Sequence, residues 1–171
     1  MPDPGRATAD VPYAAGEREM LLGYLQRQRD LVLWKVDGLS DHDAHRVGTT
    51  TGLTIHGIVD HLTDVERSWL RRWFAGRRGL HIGGIDAHHV QAPLELPGAR
   101  LKDLVAAYVE ESRRCDEIVA EHDLADVGVD GGQTLRWILH HLIEETSRHV
   151  GHLDLLRELA DGRTGEAPGR P

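Results

Sequence analysis

Thr134-Leu-Arg-Trp-Ile-Leu-His-His-Leu-Ile-Glu-Glu-Thr-Ser-Arg-His-Val-Gly-His-Leu-Asp-Leu-Leu-Arg-Glu-Leu159 runs for about seven helical turns without a proline. Its 3–4 spacing puts Leu135, Ile138, Leu142, Glu145, His149, His152, Leu156 and Leu159 on one inward row. Three polar residues, Glu145, His149 and His152, hold positions where a core would carry Leu or Ile. A carboxylate and an imidazole in such a seam are costly unless something binds them. Glu145 and His149 lie one turn apart, so both can point at one ion.

The rest of the chain reads as three further helices of similar length. The first is expected over 14–36, with Leu21, Tyr24, Leu25, Gln28, Leu31 and Val32 inward and Gly38 as its stop. The second is expected over 53–75, with Ile58, Leu62, Val65, Trp69 and Trp73 inward. The third is expected over 100–122, with Leu101, Leu104, Val105, Tyr108, Ser112, Cys115 and Val119 on one face. The fourth starts at Thr134 as N-cap and ends at Gly162. Ser40-Asp-His-Asp reads as a capped turn, Val47 to Gly52 as a loop, and Val127-Gly-Val129 as a short extended piece.

Residues 76–99 carry four Gly before two Pro and a further Gly, a connection long enough to suggest a functional or mobile role. Residues 1–12 read as a flexible arm, 13–162 as one domain, and 163–171 as a disordered tail. Four amphipathic helices with no convincing strand predict an all-α four-helix bundle with long interhelical loops.

Composition limits the partners. The formal charge of −8 argues against nucleic acid and anionic membrane surfaces. No apolar run is long enough for a transmembrane helix, and the start does not read as a signal peptide. One cysteine among 171 residues excludes an internal disulfide, and a reducing cytoplasm is the simplest compartment.

A metal needs a third protein ligand beside Glu145 and His149. His61 is the best one, an imidazole beside the Ile58 and Val65 row of the second helix. A His, Glu, His set suits Zn²⁺, with Ni²⁺ or Fe²⁺ as alternatives, and leaves a coordination position open for water, a thiol or a carbonyl. His152 reads as a possible neighbour that hydrogen-bonds the site. The bland readings stand beside these: a lone buried His is usually a satisfied core residue, and an i,i+4 Glu/His pair is often only a local pair. His141 reads as pocket lining, His140 as exposed, Asp64 as a surface carboxylate, and Arg71-Arg72 and Arg77-Arg78 as a solvated helix end. His81, His88 and His89 read as solvated loop residues, Asp86-x2-His89 being only a weak metal-like spacing, and Trp69, Trp73 and Trp137 read as core. The absence of Glu-x2-His, His-Glu-x2-His, Gly-x4-Gly-Lys and Gly-x-Gly-x2-Gly sets aside ferritin-like di-iron, zincin and nucleotide-loop chemistry.

Two segments carry a family resemblance. Leu53-Thr-Ile-His-Gly-Ile-Val-Asp-His61-Leu-Thr-Asp-Val-Glu66-Arg-Ser-Trp69, and Leu135 through Glu144-Glu145, His149 and His152 to Asp161-Gly162, resemble the DinB-like metalloproteins, in particular their thiol-dependent S-transferase and isomerase branch. The resemblance covers nearly the whole domain. It implies a four-helix bundle and a frequent homodimer, with a divalent metal, usually zinc, held by residues matching His61, Glu145 and His149. Glu rather than His at position 145 resembles the mycothiol-using members, including maleylpyruvate isomerase. The function expected is a metal-dependent transferase or isomerase using a low-molecular-weight thiol such as mycothiol against a small electrophile. The alternatives are a non-enzymatic dimeric metal-binding or stress-response bundle and a metal-dependent hydrolase.

Overall fold

Local chemistry sets where two of the long helices begin. The computed structural model describes residues 11–46, 49–50, 52–82 and 98–165, and contains α1 (Glu17–Val36), α2 (Asp41–His45), α3 (Ile55–Glu66), α4 (Leu101–Ala120) and α5 (Leu135–Asp161). Thr54 caps α3 by accepting from the Gly57 N–H at 3.0 Å, and Thr134 caps α5 by accepting from the Trp137 N–H at 3.3 Å. Gly162 ends α5 in the left-handed region at φ 77°, its N–H donating to the Glu158 carbonyl at 2.9 Å. The Ser40 turn is the N-cap of the short α2, its hydroxyl accepting from the Asp43 N–H at 3.1 Å. Among the described residues no strand forms; the expected extended piece is a single antiparallel bridge between Val127 and Thr134.

The chain is all-α, as the four amphipathic segments predict. α1 packs mainly on α5, and α3 packs on α4 and on α5. The weak motifs at Asp86, His88 and His89, the arm at 1–10 and the end at 166–171 lie outside the described residues. Of the expected tail, Arg163 lies over the Trp34 ring, 5.6 Å from its centroid, and the Gly165 carbonyl accepts from Lys35 Nζ.

The second helix departs from its expected inward row. After Glu66 the helix widens into a π-helical stretch, Arg67–Phe74, closed by the Ala75 N–H donating to the Leu70 carbonyl at 3.0 Å. An i→i+5 turn holds more residues than an α-turn, so the buried row shifts by one position. Leu70 and Phe74 are buried there instead of Trp69 and Trp73, which are half-buried. Three more expectations fail for related reasons of face. Tyr24 is 49% exposed, Trp137 46% and Leu159 60%, each on the edge of its helix beyond the buried stripe.

The apolar core is two clusters. One holds Val32, Ile58, Leu62, Tyr108, Leu153 and Leu156; the other holds Leu25, Val65, Leu70, Cys115, Ile138 and Leu142. Along each long helix polar residues separate the two: Arg29 on α1, Thr63 and Asp64 on α3, Glu111 and Ser112 on α4, and Glu145, Thr146 and His149 on α5. In this layer Arg29 meets Glu66 in a two-pronged ion pair at 2.8 and 2.6 Å, both side chains 5% exposed or less. Arg29 also reaches Asp116 at 2.8 Å, and the Ser112 hydroxyl donates to Glu66 at 3.2 Å. Cys115 is fully buried, its Sγ donating to the Glu66 carbonyl at 3.5 Å.

Candidate metal centre

The same polar layer brings His61 on α3 against Glu145 and His149 on α5. One ligand atom from each, two imidazole nitrogens and a carboxylate oxygen, lies within 4.8 Å of the others. The His61 and His149 rings meet edge to face with centroids 4.7 Å apart. Glu145 Oε2 is 3.5 Å from His149 Nε2. His149 is 2% exposed, whereas His61 and Glu145 are half-buried, so the open side of the cluster lies along those two.

The donor set fits a divalent ion. Tetrahedral ligands at zinc distances sit about 3.4 Å from one another. The Glu145–His149 pair already has that separation at 3.5 Å, and closing the widest gap takes at most about 1.4 Å, shared between two side chains. Glu145 is prepared as an anionic ligand: its hydrogen bond with His149, above all, pulls its carboxyl down to about 2. Arg148 and His141 add smaller charge effects in the same direction. Nothing among the described residues adds a fourth donor to the group, which leaves room for an exogenous ligand.

His152 stands beside the cluster, not in it. Its Nδ1 lies 3.3 Å from His149 Nδ1, the nitrogen on the far side of the ring from Glu145. Burial lowers the pKa of His152, with charge from His149 and Arg148 acting the same way.

One turn before Glu145 stands an aromatic group. His141 stacks on Trp137 at 5.1 Å and meets Trp69 edge-on at 4.7 Å, and Trp69 in turn meets Trp73 at 4.4 Å. His141 is thus half-buried against these rings, and His140 is exposed, as expected. Two expected surface groups are not on the surface. Asp64 is 3% exposed and pairs with Arg67 at 2.5 Å. Arg71 pairs with the buried Glu111 at 2.8 Å and is largely covered, its side chain 19% exposed, while Arg72, Arg77 and Arg78 are exposed. His81 is exposed, and its carbonyl accepts from Arg67 at 3.2 Å.

Sequence reasoning missed the Arg29–Glu66–Asp116 network. The signal was present: Arg29 is four residues beyond Leu25, and Glu66 four beyond Leu62, both on buried rows. A charged residue on an inward row reads as an error until its partner on another helix is known.

No helix among the described residues is long and apolar enough to cross a membrane. Among curated proteins the chain finds no match. A family model described as Mycothiol-S-transferase matches residues 20–162, which take in α2 to α5, all but the first turn of α1, and all three members of the His61, Glu145, His149 cluster. The chain therefore belongs to the mycothiol S-transferase family.

Proposed function

We propose that this protein is a metal-dependent mycothiol S-transferase whose metal ligands are His61, Glu145 and His149. The observation that carries the reading is the convergence of two imidazoles and one carboxylate within 4.8 Å in a chain of this family. Zinc is the ion the donor set suits best, and when bound there it would hold a ligating thiol as thiolate near neutral pH. The protein's own part is to hold three donors from two helices and to exclude water on the His149 side. The half-buried side at His61 and Glu145 admits the thiol. Its sulfur attacks an electrophilic carbon; a C–S bond forms, the bond to the leaving group breaks, and that group takes the electron pair. The thiol proton passes to solvent. The thiol pool this requires is a reduced one, which agrees with a cytoplasmic location, and the homodimer implied by the resemblance is part of the same proposal.

Among the described residues three donors converge, and an open three-donor site favours this over a sequestering bundle, because a closed shell would leave the thiol nowhere to bind. The test is metal content by mass spectrometry on untagged protein, followed by conjugation of mycothiol to monobromobimane. About one divalent ion per chain, lost in His149→Ala together with conjugation, is the expected result. Full metal loading with no thiol transfer would favour the sequestering bundle. Ester or amide hydrolysis that needs no thiol would favour the hydrolase.

A further inference from the structure

His56 lies buried in the first turn of α3, before His61 in the chain and outside the metal cluster. α2 covers it. The ring of His45 lies 4.3 Å from that of His56, and Asp41 Oδ1 is 3.7 Å from His56 Nε2. Asp41 has a second contact: the same oxygen accepts from the Leu101 N–H at 2.6 Å. Arg100, the N-cap of α4, makes no side-chain cap bond, so Asp41 supplies from α2 the acceptor that the start of α4 lacks. The short α2 thus joins the beginnings of α3 and α4.

A charge on His56 is costly in this arrangement. Burial, above all, holds its imidazole below the ordinary histidine range. His45 acts the same way, while the Ala44 backbone and Asp41 oppose it without reaching bonding geometry. On the helices packed around it, ionisable side chains are engaged with other groups. Asp60 of α3 responds to Arg67 and His81, Asp103 of α4 pairs with Arg100, and Lys102 is exposed. On α5, His152 lies against His149 and Asp154 pairs with Lys35. Water is then the remaining partner for an imidazolium here, and it enters where the cover is weakest. α2 is five residues long, and only its Ala44 is buried, so it is the element that opens at least cost. We propose that α2 is a proton-coupled clasp: His56 takes up a proton from solvent as α2 lifts off α3, and Asp41 leaves the start of α4 with it. With α2 lifted the ring titrates at about 6.5, and with α2 seated it resists the proton. The seated state is therefore favoured in full above about pH 6.5 and loses ground below it.

Hydrogen exchange read by mass spectrometry tests the clasp on the full chain, with and without added Zn²⁺, at about pH 7.5 and about pH 5.5, with labelling times matched for intrinsic exchange. An uncovered ring is protonated about ten times more often than not at the lower pH. Protection of the α2 amides and of Leu101 to Leu104 therefore falls by up to about tenfold in the wild type. In His56→Phe, which keeps a ring there, it stays within about twofold. His45→Leu, at an exposed position, keeps the response, and Zn²⁺ leaves it unchanged. Equal protection at both pH values in the wild type overturns the proposal. A response seen only with Zn²⁺ also overturns it, tracing the change to metal loss, as does one abolished by His45→Leu, which moves the sensor to His45. Loss of protection in α4 alone, with α2 still protected, means that Asp41 swings to the imidazolium beneath a seated helix, and overturns it too. If His56→Phe does not fold, an NMR titration of the His56 ring in the wild type takes its place. A midpoint that coincides with the loss of α2 protection supports the clasp, and titration with that protection intact overturns it.

Discussion

His149 has two ring nitrogens and a neighbour at each: Glu145 at 3.5 Å from Nε2 and His152 at 3.3 Å from Nδ1. A metal that takes Nε2 leaves the ring proton on Nδ1, where His152 must accept it. His152 is in this view a positioning residue that fixes the tautomer. His152→Ala should weaken metal affinity about 10- to 100-fold, and His152→Asn, which keeps an acceptor, should recover most of it. Competition against a chromophoric chelator measures both, and equal affinities for all three proteins would exclude the role. His56 makes a different residue-scale prediction. It is 1% exposed, and among the described residues neither ring nitrogen has a hydrogen-bond partner within bonding geometry. Asp41 Oδ1 lies 3.7 Å from Nε2, beyond bonding distance. Burial lowers its pKa, and the Ala44 backbone and Asp41 offset this only in part. The unfolded chain takes up a proton near pH 6.5 that the fold resists, so this stability is whole above about 6.5 and falls as the pH drops below it. Between pH 7.5 and 5.5 the wild type should lose up to about 1 kcal/mol more than His56→Phe. Matched urea midpoint shifts for the two proteins would remove His56 as the cause. The convergence of Glu145 and His149 was legible in the sequence because polar groups interrupt an apolar row. Asp64 was not, because its burial depends on Arg67 folding over it.

At the scale of the element, helix ends were readable and helix winding was not. Thr54, Thr134 and Gly162 act through their own backbone neighbours, and such local chemistry is written in the sequence. The π-helical stretch after Glu66 depends on what the helix packs against, so an α-period moved the wrong tryptophans into the core. Its far end is fastened by the loop before α5: the Val129 N–H donates to the Phe74 carbonyl and the Asp130 N–H to the Trp73 carbonyl, both at 2.9 Å. Gly128 permits that approach. A Cβ there would come within 3.0 Å of Phe74 Cα and 3.2 Å of the Trp73 carbonyl oxygen. These are backbone atoms and cannot swing aside. Gly128→Ala should therefore cost about 1–3 kcal/mol, read from the urea midpoint. It should also shift the emission of Trp69 and Trp73, whose rings depend on the winding. A neutral outcome would mean that the loop can lift off without loss.

Across the whole molecule, the polar layer divides one bundle into two apolar ends. A general reading of hydropathy finds the ends and reports the middle as isolated exceptions. Only assembly shows that Arg29 and Glu66, from different helices, complete one layer that the His61, Glu145, His149 cluster shares. The buried pair should behave as a unit. Arg29→Met leaves Glu66 charged without a buried partner and should cost about 3–5 kcal/mol, while Arg29→Met/Glu66→Leu should recover most of that loss. Urea unfolding of both variants decides the matter, and additive losses would contradict the pairing. The layer also borders the protein's single cysteine. Cys115 has no exposed surface, and burial, with Glu66 close by, pushes its thiol well above the usual cysteine range. It thus stays a protonated thiol behind packed helices. For the thiol transfer proposed above, a sulfur held protonated and out of contact is one that an electrophile does not consume, so such a protein would not inactivate itself.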